Sequence, residues 1–326
     1  MLLVTGGAGF IGSNVVAALN DAGRADVAVC DLLGHDGKWR NLAKRQIADF
    51  IPPAELMSWL DGRKLDAVIH LGANSSTTAT DGDAVIEANF RVSLRLLDWC
   101  TAHGTPLIYA SSAATYGDGT QGFSDDPSRA ALKTLRPMNL YGWSKHLFDL
   151  VVAERIARGE KLPPQCVGLK FFNVFGPNEY HKGTMASVLA RRFDDLKAGR
   201  VVQLFKSHRE GIADGDQRRD FIYVDDAVRV MMWLLATPSI SGLFNVGTGK
   251  ARSFRDLILA AYAALGAPPN IQYIDMPEQI RDSYQYFTQG EVDRLRAAGY
   301  NGAFTALEDA VALYVRNFLD AADRFR

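Results

Sequence analysis

Short apolar runs alternate with stretches of helical period through the first half of the chain. Leu2–Thr5 and residues 25–31 (ADVAVCD), 66–73 (DAVIHLGA), 106–112 (PLIYASS) and 165–174 (QCVGLKFFNV) are apolar and β-rich, and read as buried strands. Between the first two, Ile11, Val15, Ala18 and Leu19 recur at helical spacing from Phe10 onward. Val85, Ile86, Val92, Leu96 and Leu97 do the same in a helix that stops at Gly104. Strand and helix in alternation predict an α/β fold, a doubly wound parallel sheet of the Rossmann type with helices on both faces. Ligands of such sheets bind beyond the carboxyl ends of the strands, so chemistry is expected in the residues that follow each strand.

The pattern becomes less regular after about Phe172. Residues 184–199, 224–237, 253–266 and 305–325 read as helices, with short strands at 201–205, 243–247 and 270–275. These spacings predict a first domain over 1–172 and a smaller, interleaved C-terminal domain over 173–326. Segments near 219–247 are expected to return and complete the sheet. Ser207–Gln217 is polar and glycine-bearing, a loop or small insertion, and no internal repeat or low-complexity segment occurs.

The junction of the first strand and helix reads TGGAGFIG, with glycines at 6, 7, 9 and 12. Glycine weakens both helix and strand, so this density implies that the backbone approaches something closely. Gly6-x-x-Gly9-x-x-Gly12 in a strand–turn–helix context lets backbone N–H groups and the positive helix N-terminus face a pyrophosphate. The first domain is therefore expected to bind a dinucleotide.

Charge narrows the partners. A formal net charge of −1, with 22% charged residues, points to neither nucleic acid nor an anionic membrane surface. The longest apolar runs, such as VMMWLLA, are too short to span a bilayer, and no signal-peptide pattern opens the sequence. Cys30, Cys100 and Cys166 are odd in number, widely spaced and set among apolar residues, as expected of buried thiols in a reducing compartment. No spacing suggests a metal site. A soluble cytoplasmic protein is expected.

Tyr141-Gly142-Trp143-Ser144-Lys145 opens a helix, and residues four apart share a helix face, so Tyr141 and Lys145 can point at one ligand. An ammonium beside a phenol stabilises phenolate, and the spacing predicts a Tyr141 pKa lowered toward neutrality, a usable base. Lys145 can also hold the ribose hydroxyls next to the nicotinamide. Ser112 ends the strand at 106–112, where its hydroxyl can donate to the reacting oxygen of a sugar alcohol or ketone, or satisfy a local backbone group.

Ser112, Tyr141 and Lys145 together with TGGAGFIG resemble the extended short-chain dehydrogenase/reductase superfamily over the whole chain. GANSSTT, YASSAATYG, FFNVFGPNEYHKGTMAS, RRDFIYVDDA and SYQYFTQ resemble, within it, the epimerases that act at carbon 6 of an ADP-linked heptose. GANSSTT and HKGTMAS are the most discriminating stretches. The resemblance implies a tightly held nicotinamide cofactor, NADP in preference to NAD, contacted by Gly6, Gly9, Phe10, Ile11 and Gly12. It further implies contacts from Asp31, Leu32, Lys38 and Asp49, and from Leu71, Gly72, Ala73, Asn74 and Ser75, with Asn89 anchoring the same region. Asp31 alone favours NAD and repels a 2′-phosphate unless a cation compensates, and Lys38 is the candidate. A second family lysine appears here as Pro53, which tempers that preference. Val174, Tyr141, Lys145 and Lys182 complete the implied cofactor contacts.

For the substrate, the resemblance implies contacts from Ser112, Asn173, Thr184, Phe205, Arg219 and Tyr284, and from Lys206, Ser207 and His208. Arg191 falls where the family carries a histidine, and the loop before Arg219 is longer than the family's. Arg219 suits bidentate pairing with a diphosphate. Tyr141 and Lys182 are the implied bases, facing opposite sides of the sugar carbon, as inversion through a 6-keto sugar requires. The expected setting is synthesis of the lipopolysaccharide inner-core precursor, with a homo-oligomer, pentameric by the resemblance. A UDP-hexose 4-epimerase is the nearest alternative, against which HKGTMAS argues. A 4,6-dehydratase needs an acid beside Ser112, where this chain has Ala113-Ala114. A non-catalytic NADP-binding sensor has no need of both Tyr141 and Lys145.

Overall fold

A computed structural model describes residues 1–281 and 284–326; Ser283, the first residue of the SYQYFTQ stretch, lies outside them. Six apolar segments form strands in the first half: β1 (Leu2–Thr5), β2 (Val27–Cys30), β3 (Asp49–Ile51), β4 (Ala67–His70), β5 (Leu107–Ser112) and β6 (Cys166–Phe171). The second half adds β7 (Asn173–Phe175), β8 (Val202–Phe205), β9 (Arg218–Tyr223), β10 (Gly242–Val246), β11 (Ala251–Ser253) and β12 (Ile271–Ile274).

Seven strands make one sheet in the order β10-β6-β5-β4-β1-β2-β3, and every pairing in it is parallel. β1, β2 and β4 are buried along their whole length, which is why they read as unbroken apolar runs rather than alternating ones. Each fully buried aliphatic side chain there contributes roughly 1.5–3 kcal/mol of transfer free energy. Chain order reverses between β1 and β4, with Thr5 in register with His70, so a crevice opens where the two strands end. Across it the Gly72 amide donates to Thr5 Oγ1 at 3.0 Å, and Thr5 Oγ1 lies 2.7 Å from His70 Nδ1.

β5, β8, β10 and β12 form where they were expected, and the departures lie elsewhere. Residues 165–174 are not one strand: the chain crosses over at Phe172, whose amide donates to the Val246 carbonyl. β7 then joins β9 and β11 in a separate three-stranded sheet, while β8 and β12 pair in a two-stranded one. Of the segment near 219–247, only β10 completes the main sheet. The helix expected from 85 starts at Gly82, with Asp81 as its cap, and runs with a π turn at Glu87–Arg91 to His103. The last helical stretch ends at Leu319, not near 325. The tail beyond it is held instead by tertiary bonds: Lys44 donates to the Phe325 carbonyl, the Arg326 amide donates to Asn178, and Arg326 pairs with Asp225. Among the described residues no helix is long and apolar enough to cross a membrane, and the three cysteines are buried thiols.

Candidate active site

A cleft of about 410 Å³ lies over the crevice between β1 and β4. Its floor is the glycine turn. Gly6 has φ +67°, and a Cβ on it would lie 2.7 Å from the Gly72 amide nitrogen; a Cβ on Gly12 would lie 2.1 Å from the Gly6 carbonyl oxygen. Only glycine at both positions lets turn, helix and neighbouring strand end close up. The helix Phe10–Asp21 starts at Gly9 with no side-chain cap and no acid in its first turn, so its leading N–H groups stay available to an anion. This cradle and its donors fit the pyrophosphate of a dinucleotide.

At the end of β2, Asp31 accepts from the Ala8 amide at 2.9 Å and the Leu32 amide at 2.7 Å, and pairs with Lys38 at 2.6 Å. The carboxylate thus braces the glycine turn and carries its own counter-ion. Leu71, Gly72, Ala73 and Ser75, following β4, form the next part of the wall.

The helix Leu140–Ala157 begins at Asn139, whose side chain accepts from the Gly142 amide at 2.8 Å. That start brings Tyr141 and Lys145, one turn apart, to the same cleft as Ser112 at the end of β5. The expected lowering of the Tyr141 pKa is corrected here: burial raises it, with only a hydrogen bond to Ser112 acting the other way. Burial also drives the Lys145 ammonium down to about 8, against an opposing pull from Asp149. Desolvation disfavours charge on both groups and outweighs the opposing pulls of Ser112 and Asp149. Ser112 lines the cleft and accepts from the Ala114 amide at 3.1 Å, which satisfies a local backbone group. Asp149 accepts from Ser111 at 2.6 Å and pairs with fully buried Lys170 at 3.1 Å.

Lys182 enters from the short 3₁₀ turn Tyr180–Met185, its Nζ 5.3 Å from the centre of the Phe10 ring. Burial lowers its pKa, while Glu179 pulls the other way. Glu179 is itself buried and accepts from Ser187 Oγ at 2.7 Å and Tyr314 at 3.1 Å, fixing the turn. Asn173 and Val174 line the cleft beside it.

A second cleft of about 370 Å³ adjoins the first, sharing Ser112, Tyr141, Asn173 and Phe254, and adds Arg219 and Tyr284. The buried Arg219 guanidinium lies 5.1 Å from the Tyr284 ring and 5.5 Å from that of Phe254. Arg191, Phe205 and Tyr284 line a third cleft of about 210 Å³.

Eight expected contact residues fall outside these three clefts, each for a visible reason. Leu32 is exposed beside Asp31, and Thr184 is exposed on its turn. Asp49 is engaged by the Trp59 indole at 2.7 Å. Asn89 is buried and exchanges bonds with the Asn74 backbone while donating to Ser144, so Asn89 and Asn74 tie the loop after β4 to the Tyr141 helix. Lys206 faces Asp275, Ser207 bonds the Arg209 backbone, and His208 accepts from the Met276 amide. Conversely, His181, Phe254, Thr77 and Gln285 line the clefts without having been singled out. His181, Thr77 and Gln285 were within reach, lying in the distinctive stretches HKGTMAS, GANSSTT and SYQYFTQ; Phe254 comes from a distant helix with no local signal.

A glycine turn and a Ser–Tyr–Lys set at the switch point of a doubly wound sheet define a nicotinamide-dinucleotide-dependent enzyme. The chain belongs to the NAD dependent epimerase/dehydratase family, whose model matches residues 2–247. It is 49% identical, over the full length of both chains, to the ADP-L-glycero-D-manno-heptose-6-epimerase of Nitratidesulfovibrio vulgaris strain DP4. Its structure is similar to that of the Helicobacter pylori ADP-L-glycero-D-manno-heptose-6-epimerase, with TM-score 0.80 and 27% identity over 97% of this chain and 95% of that one. It is also similar to the Thermus thermophilus UDP-glucose 4-epimerase in complex with NAD, with TM-score 0.77 and 27% identity over 98% and 99% of the two chains.

Proposed function

We propose that this enzyme inverts carbon 6 of ADP-D-glycero-D-manno-heptose to give ADP-L-glycero-D-manno-heptose through a 6-keto sugar, as a step toward the lipopolysaccharide inner core. The observation that carries the reading is a pair of proton-handling groups, Tyr141 and Lys182, brought to one cleft by separate elements. Inversion exchanges a hydroxyl proton on either side of one carbon, and a base for each side meets that need. Full-length likeness to the named relative supports the same reaction.

A nicotinamide dinucleotide in the glycine cradle supplies reversible hydride transfer when bound. Tyr141 takes or returns the hydroxyl proton on one side, and Ser112 orients the oxygen by donating to it. Lys145 holds the ribose hydroxyls and favours the phenolate. Lys182 serves the other side. Arg219, flanked by Phe254 and Tyr284, pairs with the diphosphate, with Asn173 toward the sugar and Arg191 and Phe205 toward the nucleotide. Lys38 beside Asp31 supports NADP over NAD. A homo-oligomer in the cytoplasm completes the reading.

Incubation with ADP-D-glycero-D-manno-heptose, followed by NMR of the product, tests it. The expected product is the C-6 epimer; an unchanged sugar, or a hexose epimerised at carbon 4 under the same conditions, overturns it.

A further inference from the structure

We propose that His181, together with Lys38, binds the 2′-phosphate on the adenosine ribose of the cofactor and thereby sets a preference for NADP. This rests on the NADP reading given above. Lys38 and Asn41 are three apart on the 3₁₀ helix Lys38–Leu42, where such residues eclipse and share a face. Lys38 reaches Asp31 at 2.6 Å, and Asn41 Nδ2 lies 3.2 Å from His181 Nδ1. His181, Lys38 and Asp31 all line the dinucleotide cleft. The imidazole therefore stands beside the lysine at the Asp31 end of the cleft.

Charge shows why a second group is needed. Asp31 and Lys38 neutralise each other, so as a pair they offer no net charge to a phosphate dianion. Lys182 is turned toward the Phe10 ring. His181 supplies the balance. Burial above all, then Lys38 and Lys182, push its pKa down to about 4, while Asp31 and the Asn178 backbone pull the other way. It is neutral in the protein alone. Asn41 Nδ2 gives its two protons to the Ala8 and Asn178 carbonyls, at 2.9 and 3.1 Å, and packs 3.2 Å from Nδ1, which fixes the position of the ring. A phosphate dianion beside the ring favours the imidazolium, in which both ring nitrogens carry a proton to donate. Because His181 and Lys182 are consecutive, the same contact steadies the turn that carries Lys182.

The test is nucleotide binding by calorimetry on the full-length protein freed of nucleotide, with NADP and NAD titrated separately. Wild type should prefer NADP. His181→Ala should weaken NADP by about tenfold or more, the worth of one charge-assisted hydrogen bond, and leave NAD within about twofold. His181→Gln, whose amide can donate to phosphate, should keep most of the preference. An equal loss for both nucleotides, no loss in His181→Ala, or a lost preference in His181→Gln overturns the assignment. A wild type that prefers NAD instead overturns the NADP reading itself.

Discussion

Tyr141 and Lys145 lie one helical turn apart at a single cleft, and burial drives their proton affinities in opposite directions: the phenol upward, the ammonium down to about 8. Both shifts oppose the charged forms that the proposed mechanism uses. The site is therefore built at the expense of stability, and the deficit is measurable.

Lys145 binds its proton less tightly folded than unfolded. Below about pH 8 both states hold the proton and the burial penalty is present in full. Between there and the ordinary lysine value the unfolded chain alone holds it, so this group's penalty shrinks as pH rises. Lys145→Met should thus be inactive yet more stable at pH 7, by up to about 3 kcal/mol, with the advantage fading toward pH 10. Thermal melts at the two pH values check this. A lower midpoint at pH 7 would show that attraction to Asp149 outweighs desolvation.

Loss of either proposed base should separate epimerisation from its half-reactions. Tyr141→Phe and Lys182→Met should each lower the epimerisation rate by about 10²–10⁴-fold. With an analogue bearing an aldehyde at carbon 6, one molecule can be oxidised while another is reduced, and one base suffices. Each single variant should retain some of that dismutation and the double variant almost none. Near wild-type epimerisation by Lys182→Met would make Lys182 a loop lysine and remove the two-base assignment.

The fully buried Lys170–Asp149 pair, 3.1 Å apart, should behave non-additively. Lys170→Met leaves an uncompensated buried carboxylate and should cost about 3–5 kcal/mol, whereas Lys170→Met with Asp149→Asn should cost clearly less. Denaturant unfolding of the two singles and the double gives the cycle. Strict additivity would mean that Asp149 relies on Ser111 and Lys145 rather than on Lys170.

Gly12→Ala places a methyl 2.1 Å from the Gly6 carbonyl oxygen, a backbone atom that no rotamer change can move aside. The turn should shift, with a loss of about 1–3 kcal/mol and little or no nicotinamide nucleotide recovered when the purified protein is denatured. A nucleotide content equal to wild type would show that the helix start adjusts without opening the cradle.

The sequence by itself determined the elements that depend on neighbours along the chain. Apolar runs marked β1, β2, β4 and β5 because strands buried on both faces leave little room for polar side chains. The glycine spacing marked the turn because the backbone must pass where a Cβ cannot, and the four-residue interval put Tyr141 and Lys145 on one face. The tertiary structure alone decided what depends on residues far apart. Residues 165–174 are β-rich and mostly apolar on both sides of Phe172, so nothing local announces that Phe172 sends β6 and β7 into different sheets. Asp31, Lys38, Asn41 and His181 come from segments up to 150 residues apart, and their meeting follows from strand order rather than spacing. The Tyr141 pKa moved against expectation for the same reason: spacing reports which charges are near, whereas desolvation is set by everything else that packs around them.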